Sequence, residues 1–147
     1  MKKKKKEEVE ELRKQVEEYK QKYLRALADY RNLLNRLEEE KKAAVFETLS
    51  SILRDFLEVF DDIEKAEGFV KDEGLRMIKE KFRKVFLKWN VQELKLEGER
   101  FNPELAEVID TIEGEREGIV KKVYQKGYKL GDKVLRHAKV QVSKVKS

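Results

Sequence analysis

The sequence contains no cysteine and a single histidine, His137. Without thiols there is no disulfide, no thiolate metal site and no cysteine nucleophile. One imidazole rules out a histidine-cluster metal site and leaves little material for triad chemistry. Long apolar runs are missing too: the longest stretch free of Lys, Arg, Asp and Glu is six residues, 48–53. Neither a membrane-spanning helix nor the apolar region of a secretory leader fits into that, so the cytoplasm is the expected compartment. No phosphate loop of the GxxxxGK[ST] type, no GxGxxG after a strand, no GxSxG and no HExxH occurs. Carboxylates abound, but on helical patterns that place them on solvated faces rather than in an acid/base pair. The expectation is a protein that is not an enzyme, needs no cofactor and works by binding.

What the chain has in excess is charge. Of its 147 residues, 44% are Lys, Arg, Asp or Glu and 39% are hydrophobic, against about 25% charged in an average soluble protein. Such a chain cannot fill a large round core, and is expected to be elongated, oligomeric or partly disordered. The net charge of +5 is unevenly spread: residues 1–42 carry +4, residues 43–120 carry −7, and residues 121–147 carry +8. The last segment is a concentrated positive patch suited to an acidic protein partner or to nucleic acid. The five lysines at 2–6 are expected to be a solvated end, since nothing aromatic interleaves them.

From Val9 the apolar positions fall at Val9, Leu12, Val16, Tyr19, Tyr23, Ala26, Tyr30, Leu33 and Leu37, with alternating steps of three and four and no Gly or Pro between. This is a heptad seam over four repeats and predicts a coiled coil; the alternative is a long amphipathic helix packed on its own domain. Three tyrosines and an alanine sit where Leu, Ile or Val pair best, which predicts a loose pairing that unzips on warming. Beyond Lys42 the stripe widens to Val45, Phe46, Leu49, Ile52, Leu53, Phe56, Leu57, Phe60 and Ile63, a pattern that suits a helical bundle. Gly68 is expected to interrupt it. Asp72 is placed to cap a second amphipathic helix with Leu75, Ile78, Phe82, Val85, Phe86 and Trp89 on one face, and Asn90 to end it in a left-handed conformation. Two such helices form a hairpin with one very apolar side, best buried against a second copy as a dimeric four-helix bundle.

After Asn90 the period drops to two. Residues 91–96, 108–112, 119–124, 128–130 and 134–142 read as short strands separated by Gly-containing turns, with one helical turn expected from Asn102 and Pro103 through Leu105. The fold class is therefore α+β: a basic N-terminus and stalk helix over 1–42, a helical dimerisation region over 43–90 and a small all-β domain over 91–147. At about 55 residues that last module is near the lower limit for independent stability and is expected to lean on the helices.

Three strings in the β region carry a family resemblance. GERFNPEL (98–105), VYQKGYKL (123–130) and VLRHAKVQV (134–142) closely resemble the C-terminal signature of the GrpE family, the nucleotide exchange factors of DnaK-type heat-shock chaperones. ADYRN (28–32), FDDIEKA (60–66) and GLRMI (74–78) resemble the family's helical segments in the expected order. The departures are Asn102, Ala106 and His137, where the family commonly carries Asp, His and Pro, and an N-terminal extension that is short and lysine-rich rather than long and acidic.

The resemblance implies a parallel homodimer with a paired stalk, a four-helix bundle and two β wings, one of which wedges open the ATPase domain of the chaperone so that ADP leaves. It implies partner contacts at Phe101, Tyr124, Lys133 and Val142 in the wing and at Lys65 and Gly74 in the bundle; the alternative for Phe101, Tyr124 and Val142 is a place in the core, for Gly74 a helix start and for the two lysines a solvated surface. Dimer contacts are expected at Leu12, Val16, Tyr19, Tyr23, Tyr30, Leu33 and Leu37 in the stalk and at Phe56, Phe60, Phe82 and Phe86 in the bundle. A single helix over 7–66 would reach about 90 Å at about 1.5 Å per residue, and in the family this stalk is linked to heat sensing. No nucleic acid or membrane partner is expected. The competing reading is a dimeric coiled-coil RNA-binding module using the basic C-terminal segment, with Tyr124 and Tyr128 as stacking rings.

Overall fold

A computed structural model describes all 147 residues. Two helices precede six strands: α1 Lys2–Phe69, α2 Glu73–Lys88, β1 Val91–Glu93, β2 Ala106–Glu113, β3 Val120–Gln125, β4 Tyr128–Leu130, β5 Lys133–Arg136 and β6 Ala138–Lys144. Met1–Glu47 and Thr48–Ser147 are two compact units. No helix is long and apolar enough to cross a membrane.

The first unit is helical throughout, and its heptad seam is bare. Val9, Leu12, Val16, Tyr19, Tyr23, Tyr30, Leu33 and Leu37 are all exposed, Tyr19 to 69%. What the unit makes for itself is short-range: Gln21 donates to Glu17 at 3.1 Å, and Arg36 with Glu40 and Lys42 with Glu39 form exposed ion pairs one turn apart. Such pairs each add only a few tenths of a kcal/mol to a helix.

The second unit has two cores. In the first, Leu53, Leu57 and Phe60 of α1 and Phe86 of α2 meet Val91, Tyr128 and Leu135 from the antiparallel sheet β1-β4-β5. Phe60 and Phe86 meet edge to face at 5.4 Å between ring centroids, an arrangement aromatic pairs favour. The second core is built by the sheet β2-β6-β3, in which β6 runs parallel to β2 and antiparallel to β3. Ala106, Val120, Ala138, Val140 and Val142 fill it, with Leu96 from the preceding segment and Phe101 and Leu105 packed against it.

Local chemistry explains the helix ends. Asp72 is extended and its Oδ1 accepts from the Gly74 and Leu75 amides at 2.7 and 3.2 Å, capping α2. Asn90, at φ 60, ends the helical segment in the left-handed region that Asn tolerates best after Gly. Gly68 does not break the run as expected: α1 continues to Phe69, because a glycine in the final turn costs little.

Two strand expectations are corrected. Residues 91–96 are not one strand: β1 stops at Glu93, and the Leu94 amide donates to the Gly127 carbonyl at 2.8 Å as the chain passes to the second core. Residues 134–142 are not one strand either, since β5 and β6 belong to different sheets and the chain changes sheet at His137, which is exposed. The buried positions are Leu135 before the crossing and Ala138, Val140 and Val142 after it, so the alternation changes phase there, a step the sequence masks because Val134 and Leu135 are both apolar. Gly127 permits the crossing: a Cβ there would lie 2.6 Å from the Ala138 nitrogen and 3.0 Å from the Arg136 carbonyl oxygen.

Gly127→Ala is therefore expected to destabilise the chain by about 1–3 kcal/mol, because backbone rather than a side-chain tip must yield. Urea denaturation followed at β-sheet wavelengths measures it, with Gly68→Ala as the control that is neutral or stabilising, since nothing lies within 4 Å of its added methyl.

Candidate partner-binding surfaces

The second sheet presents an exposed face on which three strands each contribute one polar side chain. Tyr124 of β3 donates its hydroxyl to Asp110 Oδ2 of β2 at 2.7 Å. Gln141 of β6 donates Nε2 to the same oxygen at 2.6 Å and reaches the Tyr124 hydroxyl at 3.3 Å. Asp110 Oδ1 accepts from the Thr111 amide at 2.9 Å. Lys122 places its ammonium 4.9 Å from the centroid of the Tyr124 ring. The Tyr124 hydrogen bond, followed by that from Gln141, holds the Asp110 carboxyl below the usual aspartate range. The same bond holds the Tyr124 hydroxyl above the usual phenol value.

All three register shifts of this sheet lie at the network. One falls between Val108 and Asp110 on β2, and two fall on β3, between Val120 and Lys122 and between Val123 and Gln125. Bulges re-aim side chains. Here they leave Tyr124 without a directly opposed residue and 45% exposed.

A second polar cluster ties the first sheet to α1. Arg136 of β5 donates to both oxygens of Asp61, at 2.7 and 3.0 Å, and to the Lys126 carbonyl at 2.6 and 3.0 Å. Its guanidinium also lies 5.4 Å from the centroid of the Tyr128 ring. Lys126 bridges Glu64 at 2.7 Å and Glu93 at 3.6 Å, and Arg54 donates to the Leu135 carbonyl at 3.0 Å. Two of the nine basic residues in 121–147 are thus spent inside the chain, so the positive segment is weaker as an external patch than its count implies. Burial, then the neighbouring carboxylates of Glu64, Glu93 and Asp61, push the Tyr128 hydroxyl up.

The expected contact residues separate into surface and core. Tyr124, Lys65, Lys133 and Gly74 are exposed. Lys133 opens β5 opposite Leu130. Gly74 lies inside the α2 cap, where a Cβ would meet Asp72 Oδ1 at 2.9 Å. Val142 is buried in the second core and Phe101 is half-buried against it, so both take part in the hydrophobic packing of the wing. Tyr128 is buried at the first core, so the stacking surface of the RNA-binding reading loses one of its two rings.

The expected bundle residues divide in the same way. Phe60 and Phe86 are 2% and 5% exposed and serve the chain's own core, with Phe82 packed beside them. Phe56 remains 49% exposed. It lines an apolar groove of about 440 Å³ between α1 and α2, together with Leu49, Ile52, Leu53, Ile78, Phe82, Val85, Phe86 and Trp89; Lys81 is its one charged neighbour. Asp110, Gln141 and Arg136 were not singled out by sequence. Their side-chain partners lie 14 to 75 residues away, and the one available signal is an acidic residue among the apolar positions of β2.

The GrpE family model matches residues 1–144. The chain is 38% identical to Protein GrpE of Thermus thermophilus, over 86% of this chain and 75% of that protein. It is 35% identical to Protein GrpE of Chlamydia felis, over 93% and 79%, and 36% identical to Protein GrpE of Protochlamydia amoebophila, over 94% and 71%.

Two measurements test this geometry. Asp61→Asn is expected to cost about 2–3 kcal/mol, because it leaves a mostly buried guanidinium without its charge partner, and denaturant titration reads that loss. Because the folded Asp110 pKa lies below its ordinary value, its bonds favour the folded state at neutral pH and are lost only as pH falls through that lowered value. The Tyr124 ring resonances are expected to shift with a midpoint below 3.8, the ordinary aspartate value, and to lose this titration in Asp110→Asn.

Proposed function

The chain belongs to the GrpE family of co-chaperones, and on that premise we propose that it is a homodimeric nucleotide exchange factor that accelerates ADP release from a DnaK-type chaperone. Its β wing engages the ATPase domain and favours the open nucleotide cleft. A partner that binds the open form more tightly than the closed one weakens ADP by the same factor, with no bond made or broken. The observation that carries this reading is the match to the family over residues 1–144. The exposure of Tyr124, Lys133, Lys65 and Gly74 supports their assignment as contacts. Residues 121–147, basic even after the internal pairs are discounted, suit an acidic ATPase lobe.

The dimer is supported by two apolar surfaces that the chain leaves bare. One is the seam of Leu12, Val16, Tyr19, Tyr23, Tyr30, Leu33 and Leu37; the other is the groove at Phe56, Ile78 and Trp89. Burying an aromatic or aliphatic side chain contributes about 1.5–3 kcal/mol relative to leaving it in water, and a symmetric pair of grooves buries each residue twice. The domain reading that goes with this assigns 1–42 to the stalk, 43–90 to dimerisation and 91–147 to the chaperone. The tyrosine-rich seam makes the stalk the weakest joint and a heat-sensitive one. The protein acts in the cytoplasm.

A stopped-flow assay of labelled ADP release from a DnaK-type ATPase domain tests the main reading: release is expected to accelerate to a plateau as this chain is added, and no acceleration at saturation would overturn it. Lys133→Glu is expected to raise the half-saturating concentration without changing the mass found by sedimentation. Phe56→Lys combined with Ile78→Lys is expected to reduce that mass from twice the 17.5 kDa chain to the single chain. On heating, circular dichroism is expected to show a helical transition before the β-structure melts; one cooperative melt would remove the heat-sensing stalk.

A further inference from the structure

We propose that Asp110, assisted by Gln141, is a positioning residue that presents the Tyr124 ring to the chaperone's ATPase domain. This rests on the reading of the wing as the chaperone-binding surface. The hydroxyl of Tyr124 is turned along the sheet and consumed by Asp110 Oδ2 at 2.7 Å, with the Gln141 amide on the same pair of oxygens. What Tyr124 offers outward is therefore its ring, not its hydroxyl. Lys122 covers that ring at 4.9 Å from its centroid, and the remaining exposed surface is the part available to a partner.

Three observations make this more than a surface hydrogen bond. Each strand of the sheet supplies one member of the network, so the ring is fixed relative to the whole wing rather than to one hairpin. Every register shift of the sheet falls at these residues, which is how an otherwise regular sheet aims Tyr124 across to β2. And both Asp110 oxygens accept bonds from within the chain, with Oδ2 filled by Tyr124 and Gln141, so its role runs through Tyr124. A tyrosine with two side-chain torsions already fixed loses little entropy on docking, which converts its contact area into affinity more fully than a mobile ring would. The partner chemistry that fits is an apolar patch on the ATPase lobe that closes over the ring edge, flanked by acidic groups facing Lys122.

The test uses the full chain in the ADP-release assay, with half-saturating concentration and plateau rate read separately. Asp110→Ala is expected to raise the half-saturating concentration about 5-fold at an unchanged plateau, and Asp110→Asn, which keeps an acceptor for the hydroxyl, to restore most of that loss. In a Tyr124→Phe background, Asp110→Ala is expected to have no further effect. An unchanged half-saturating concentration in Asp110→Ala would overturn the inference, as would a full additive effect in the Tyr124→Phe background, which a direct or merely structural role would give. If the unsubstituted chain fails to accelerate release at all, the functional reading itself falls and this inference with it. That outcome is distinct from an active parent with an indifferent Asp110→Ala variant.

Discussion

Arg136 is the joint on which the second unit depends. Its guanidinium spans Asp61 of α1 and the Lys126 carbonyl before β4 while lying against the Tyr128 ring. The next residue is the point at which the chain leaves one sheet for the other. A charge this well covered is favourable only when its donors are used, and here four hydrogen bonds use them. Lysine could not replace it, since the arrangement needs a planar fork reaching a carboxylate and a carbonyl together. With the Lys126 bridge to Glu64 and Glu93 and the Arg54 bond to the Leu135 carbonyl, it fixes the first sheet on the helices. The second sheet is then carried by that attachment, through Gly127 packed on Ala138.

The same economy governs the apolar residues. A chain with 39% hydrophobic residues fills two small cores and keeps the rest on helix surfaces. Phe60 and Phe86 go inward to hold the first sheet, while Phe56 of α1 and Trp89 at the C-cap of α2 stay outside. The high charge content is thus partly structural: Asp61, Glu64, Glu93, Lys126 and Arg136 do attachment work that a larger protein would assign to buried leucines.

Much of this was legible in the residues. The helical periods of the seam and the widened stripe, the Asp72 cap and the left-handed Asn90 are local signals, set by neighbours within a turn or two, and the helices, the cap and the Asn90 conformation are all present. The α+β class and the placing of the helical turn at Asn102 follow from the same short-range patterns. What the pattern could not supply was partnership at a distance. Alternation shows that a strand has two faces, not which sheet it joins, so the change of sheet at His137 was invisible. Whether Val142 and Phe101 pack inward stayed open for the same reason, because a motif names a residue without saying which side of a sheet it faces. The Asp110, Tyr124 and Gln141 network depends on three bulges, and a bulge leaves no mark on composition.

The position of β6 has a consequence for how the fold is reached. In the second sheet β6 is the central strand, and β2 and β3 have no ladder to each other without it. Both precede it in the chain, with 24 residues lying between the end of β2 and the start of β6. As the chain is synthesised, α1 and α2 can form from local contacts, whereas the segments of β2 and β3 emerge with unpaired edges and wait for a strand not yet made. That interval is when apolar positions such as Val108, Ile109 and Ile112 are open to strand pairing with another nascent chain. The acidic residues Glu107, Asp110 and Glu113 interspersed among them give β2 the charge that discourages it.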